Sequence, residues 1–130
     1  MRVAVVGSRT LTVPNLGDYL PENVSEIVSG GARGVDQCAR AYALAHGIKL
    51  TEYLPDYARH GRRAPLMRND QIVARAELVL AFWDGCSRGT VYTIRRCRAM
   101  GVPCRVFMRH RKAVRLMNEP NCQNACGKPT

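Results

Sequence analysis

Short apolar runs alternate with stretches of helical period along residues 1–108. Arg2–Val6 and Glu26–Ser29 read as buried strands, with one helical turn around Asn15–Leu20 between them. A helix follows from about Gly34 to His46, in which Val35, Cys38, Ala39, Tyr42 and Ala45 share one face. Gly47 is its expected C-cap. Ile48–Leu54 alternates and carries β-branched residues, so it is a third strand, and Pro55–Arg63 is a polar loop. Pro65 opens a helix that runs to about Ala76, a position where proline is tolerated. Glu77–Trp83 is nearly all apolar, as a central strand requires, and Phe82 and Trp83 at its end are expected to pack in the core. Thr90–Met100 is helical and stops at Gly101. Val102–Met108 is a fifth strand, with Pro103 suiting an edge position.

Strands with interposed helices imply an α/β domain: a five-stranded parallel sheet covered on both faces, three layers in all. The pattern dissolves after residue 108. Arg109–Met117 offers a short basic helix and Asn118–Thr130 reads as a mobile tail, so the expected organisation is one domain over 1–108 and a basic, cysteine-containing, partly disordered tail over 109–130.

Composition changes the picture in two ways. The chain of 130 residues carries a net charge of +10, and all of it falls in the second half. Residues 1–55 hold 5 basic and 5 acidic groups, residues 56–130 hold 15 and 5. Such a surplus suits anionic partners, and a solvated arginine-rich surface is the plainer alternative. Six cysteines without a secretory pattern read as reduced thiols, and the Cys122/Cys126 pair lacks the further ligands a zinc site needs. The apolar run Val3–Val6 is too short for a signal peptide or a membrane span. A cytoplasmic protein with no membrane association, no metal and no cofactor is expected.

Candidate chemistry concentrates in three loops that follow strands. These are Gly7-Ser8-Arg9-Thr10, Gly30-Gly31-Ala32-Arg33-Gly34 with Asp36 just beyond, and Asp84-Gly85-Cys86-Ser87-Arg88-Gly89-Thr90. In a parallel sheet such loops gather along one edge, where ligands bind at the reversal of strand order. Glycines let a ligand approach backbone N–H groups, helix N-termini favour anions, and Arg9, Arg33 or Arg88 could close over a phosphate. Neither G-x-G-x-x-G nor G-x-x-x-x-G-K-[ST] is present, which disfavours a standard nicotinamide or nucleoside-triphosphate site.

The segments VAVVGSRT, SGGARGVDQCARAYAL, PLMRNDQIV and FWDGCSRGT occur in that order. Together they resemble the SLOG superfamily, which joins the DprA/Smf DNA-processing proteins to the LOG phosphoribohydrolases, and most resemble its YspA-like branch. The resemblance covers roughly residues 1–108 and implies a Rossmann-like domain that binds a nucleotide or nucleotide-derived ligand, as a sensor or processor of it. It also implies a homodimer. Carried over by position, the contacts would come from Gly7, Ser8, Arg9, Gly30, Gly31, Arg33, Gly34, Asp36, Arg68, Asn69, Asp84, Gly85, Ser87, Arg88, Gly89 and Thr90. The hydrolase branch has a glutamate where this chain has Thr93. An oxocarbenium-like state needs a nearby carboxylate. Arg68, Asp36 and Asp84 are therefore catalytic candidates only, and activity as an enzyme stays open. The ligand is expected to be ADP-ribose-like or a nucleoside monophosphate. The alternatives are N-glycosidic hydrolysis of a nucleotide and single-stranded DNA binding, for which the basic half supplies charge but no exposed aromatic platform.

Overall fold

Side chains on β1 (Arg2–Gly7) and β4 (Leu78–Trp83) leave their strands to opposite faces in turn, and both faces are covered. Val3, Val5, Leu80 and Phe82 point into one apolar layer with Ile27, Val35 and Ala39. Ala4, Val6, Val79, Ala81 and Trp83 point into the other, with Ile72, Val73, Val91 and Ile94. A strand buried on both sides has no polar position to spare, which is why these segments read as unbroken apolar runs.

The computed structural model of the chain describes residues 1–110 and 113–117. Its sheet also contains β2 (Glu26–Ser29), β3 (Lys49–Glu52), β5 (Cys104–His110) and β6 (Ala113–Met117), in the order β3-β2-β1-β4-β5-β6. The first five strands are parallel, in the Rossmann-like α/β arrangement expected. Helix α1 (Val35–Ala45) covers one face, while α3 (Ala64–Arg75) and α4 (Arg88–Met100) cover the other. Ser87 caps α4, and Gly101 ends it in the left-handed region at φ 72°. Phe82 and Trp83 are buried in the core as expected. None of the described helices is long and apolar enough to cross a membrane.

Four details differ from the sequence reading. The loop over Pro55–Arg63 contains a one-turn helix α2 (Tyr57–His60), because Asp56 accepts a hydrogen bond from the Arg59 N–H (3.1 Å) and caps it. In place of a short basic helix over Arg109–Met117, β5 runs on to His110 and β6 pairs with it antiparallel, Phe107 opposite Leu116. The alternation in AVRLM suits a strand, and β5 would otherwise leave its outer hydrogen-bonding groups unpaired. β5 is therefore not an edge strand. Pro103 lies just ahead of it, where its missing N–H costs no ladder bond, and its carbonyl accepts from the Val79 N–H (2.9 Å). Finally, Cys86 is disulfide-bonded rather than a reduced thiol. It is exposed in its turn, so packing does not shield its sulfur. The mobile-tail expectation for Asn118–Thr130, with Cys122 and Cys126, lies outside the described residues.

At the opposite end of the sheet from the glycine loops, Glu26 is buried at the start of β2. Arg75 at the end of α3 donates two hydrogen bonds to it, both 2.9 Å, and Thr51 of β3 donates a third at 2.9 Å. The Arg75 hydrogen bonds, helped by Thr51 and Lys49 and opposed by burial, hold the Glu26 carboxyl at about 2 against an ordinary 4.5. A lowered folded value means that this stabilisation is complete above about pH 4.5 and is lost as the pH falls toward 2. The urea midpoint should drop more steeply over that window in the wild type than in Glu26→Gln. Parallel pH profiles for the two proteins would refute this role of Glu26.

Candidate functional site

The strand order reverses between β1 and β4, and their carboxyl ends are tied together there. The Ser8 N–H donates to the Phe82 carbonyl (3.0 Å), and the Asp84 N–H donates to Ser8 Oγ (3.0 Å). Asp84 Oδ1 accepts from the N–H groups of Cys86 and Ser87 (2.8 Å each), and Oδ2 accepts from the Thr10 hydroxyl (3.0 Å). Burial raises the Asp84 pKa, but those N–H and hydroxyl donors outweigh it and hold the carboxyl below its usual range. Asp84 thus shapes the turn that delivers Ser87 to the start of α4. Ser8 and Asp84, both candidates for ligand contact, spend much of their hydrogen-bonding capacity on the protein itself.

The glycines of the second loop have a similar explanation. A Cβ on Gly30 would collide with Arg68 Nη1 and lie 3.0 Å from Asp36 Oδ2. Gly34 has φ 73°, and a Cβ there would meet the carbonyl oxygens of Arg9 at 2.5 Å and Ser8 at 2.6 Å. The side chains are missing because other parts of the chain occupy their space. The N-terminus of α1 is correspondingly closed: the Val35 N–H donates to the Ser8 carbonyl (3.5 Å).

The open space lies between this loop, α3 and α4. A cavity of about 350 Å³ is walled by the β1 loop through Gly7, Arg9 and Thr10, and by the second loop through Ala32 and Asp36. Pro65, Leu66, Arg68 and Asn69 of α3 form a third side. Asp84 and the first turn of α4, through Ser87, Gly89 and Thr90, complete it, with Thr93 one turn further on. That volume falls within the roughly 300–1,000 Å³ of small-molecule sites. First-turn N–H groups of a helix lack partners within the helix and favour an anion.

Two buried charged groups reach the cavity, Arg68 and Asp36, each with 7% of its surface exposed. Arg68 Nη1 donates to the carbonyls of Gly30 (2.6 Å) and Tyr53 (3.4 Å), while its Nε is buried with no hydrogen-bond partner. Among the described residues neither Arg68 nor Arg9 has a carboxylate within 4 Å. Asp36 Oδ2 accepts from the Ala32 N–H (3.1 Å), and burial pushes its carboxyl above the ordinary range despite that bond and the nearby Arg68 charge. Thr93 faces the cavity, but its hydroxyl is engaged with the Gly89 carbonyl (3.0 Å). A carboxylate for glycosidic chemistry would have to come from Asp36, since Asp84 is held by three donors.

Of the residues singled out from the sequence, Gly7, Arg9, Asp36, Arg68, Asn69, Asp84, Ser87, Gly89 and Thr90 line this cavity. Gly30, Gly31 and Arg33 line an adjoining one. Ser8, Gly34, Gly85 and Arg88 line neither. Ser8 and Gly34 act behind the wall, and Arg88 is exposed at the start of α4. Thr10, Ala32, Pro65 and Leu66 were not anticipated. Thr10 stood inside the quoted GSRT loop and could have been named; Pro65 and Leu66 carry no chemical signal and enter only because α3 crosses the switch point.

Residues 1–51, which include the first two loops, match the family model of DNA recombination-mediator protein A. No solved structure matches the chain. Among curated proteins, the Gene 61 protein of Mycobacterium phage D29 is 37% identical over 115 residues, spanning 78% of this chain and 92% of that protein. The chain belongs to the family of that phage protein, and its residues 1–51 are similar to the DNA recombination-mediator proteins.

Proposed function

We propose that the chain binds a nucleotide or nucleotide-derived anion in the cavity between the β1 loop, α3 and α4. The observation that carries this reading is Arg68, a buried guanidinium with no carboxylate within 4 Å among the described residues, facing a cavity that α4 enters by its N-terminus. Burying a cation whose nearby carboxylate, Asp36, stands beyond 4 Å is costly, and an anionic ligand adds a second neutralising charge. The four motifs support the YspA-like branch of the SLOG superfamily as the finer placement. Within it this chain acts as a sensor of its ligand, or as a processor if Asp36 supplies the carboxylate that Thr93 cannot.

A thermal-shift panel of AMP, GMP, CMP, ADP-ribose and NAD tests the reading. A ligand at about 100 times its dissociation constant adds about 2.7 kcal/mol, a rise of roughly 6–15 °C for a domain of this size. Unchanged melting with every nucleotide at millimolar concentration would remove the proposal. Free base appearing during incubation would make the site catalytic.

A second reading, single-stranded DNA binding, is favoured by the match to the DNA recombination-mediator family model and by the charge of +10. Its mark is affinity that falls steeply with salt. The aromatic residues that end β4 give it no support, since Phe82 and Trp83 are buried.

A further inference from the structure

A second cavity of about 270 Å³ adjoins the first, walled by Gly30, Gly31, Arg33, Leu54 and Pro55. The two share Arg9, Ala32 and Arg68. The shared wall is the cationic one: Arg9 is close enough to Arg68 to repel its charge, and neither has a carboxylate within 4 Å among the described residues. Beyond that wall the second cavity is lined by two glycines, Arg33, Leu54 and Pro55. Leu54 lies over Gly31 with 65% of its surface exposed, an apolar face open to a ligand in this cavity. A mononucleotide in the larger cavity would leave Arg33 and Leu54 without a role.

Building on the nucleotide-binding reading, we propose that the ligand carries two nucleoside-like halves joined through phosphate, one half in each cavity, with the phosphate link between Arg9 and Arg68. Two arginines flanking one anion can each hydrogen-bond a different phosphate oxygen. The link could be the pyrophosphate of a free dinucleotide or one 3′,5′ step of a nucleic-acid strand, since both present phosphate between two nucleosides.

Calorimetric titration of the full chain with AMP, diadenosine diphosphate, the 3′,5′ dinucleotide ApA and a twelve-residue deoxyadenosine strand decides the matter. At least one of the two-nucleoside compounds should bind tenfold or more tightly than AMP. Leu54→Glu, at an exposed position outside the larger cavity, should remove that advantage and leave AMP affinity within about twofold. Preference for diadenosine diphosphate assigns the free dinucleotide as the source; preference for ApA assigns the strand. Equal affinity for AMP and both two-nucleoside compounds, or an advantage that survives Leu54→Glu, overturns the two-cavity ligand while leaving the mononucleotide pocket standing. Binding of the long strand alone, or of nothing, overturns the pocket reading as well.

Discussion

Gly34→Ala should lower stability by about 3–4 kcal/mol, a large part of the roughly 5–15 kcal/mol that holds a domain together. Two effects combine. The backbone at φ 73°, ψ −123° belongs to a region reserved in practice for glycine. The added Cβ would also sit 2.5 Å from the Arg9 carbonyl oxygen and 2.6 Å from that of Ser8, and backbone cannot swing away as a side chain can. Gly47→Ala is the matched control. Gly47 has φ 63° but nothing within 4 Å of a Cβ, so only the conformational cost applies, about 1 kcal/mol. Chemical denaturation of the two variants separates the contributions. Equal losses would mean that the β1 loop moves aside freely, and that its contact with the start of α1 does not shape the cavity.

The second large effect is on binding. Arg68→Met should reduce affinity for whichever of AMP or ADP-ribose stabilises the wild type by at least about 30-fold, because loss of one partner of a buried charged contact costs about 2–5 kcal/mol. The ligand-free protein should change far less. Loss of the hydrogen bond to the Gly30 carbonyl is destabilising, but removal of a buried cation that lacks a close carboxylate offsets it. A site held for binding shows this opposition between function and stability. Thermal melts of wild type and variant, with and without ligand, read both quantities. Should Arg68→Met melt well below the wild type and still bind, the arginine would be a structural strut for the second loop and the proposed site would lose its main cation.

Much of the architecture was legible because burial writes itself into local composition. β1 and β4 are covered on both faces, so each of their inner positions had to be apolar, and the runs could be read directly. α1, α3 and α4 each bury one face, and Pro65 and Gly101 mark ends where their backbone properties are required. The weakest reading came where local signals are ambiguous. AVRLM can face either way until a partner strand is present, and β6 exists because β5 offers one.

The site was legible as a location and less so as a mechanism. Three glycine-rich loops on one sheet edge followed from the order of strands and helices, and the structure brings them together at the β1–β4 switch point. At Gly30 and Gly34 the reason for the glycine lies within the chain itself. Absence of a side chain says that something comes close, without saying what, and at Gly30 the near neighbour is Arg68, thirty-eight positions away along the chain. Asp84 lines the cavity and also holds its own turn: a carboxylate in a polar loop has the same sequence whether it faces a ligand or two backbone N–H groups and a threonine hydroxyl.

The sequence by itself determined the α/β class, the parallel sheet and the edge on which the loops would meet, since these depend on periodicity and on short connections. Tertiary structure alone decided that Arg68 is buried beside Asp36, that α1 closes its N-terminus on the β1 loop while α4 opens its own to the cavity, and that two cavities share one cationic wall. The physical reason is that desolvation, approach distances and unpaired charge belong to pairs of groups remote in sequence, and no local pattern carries them.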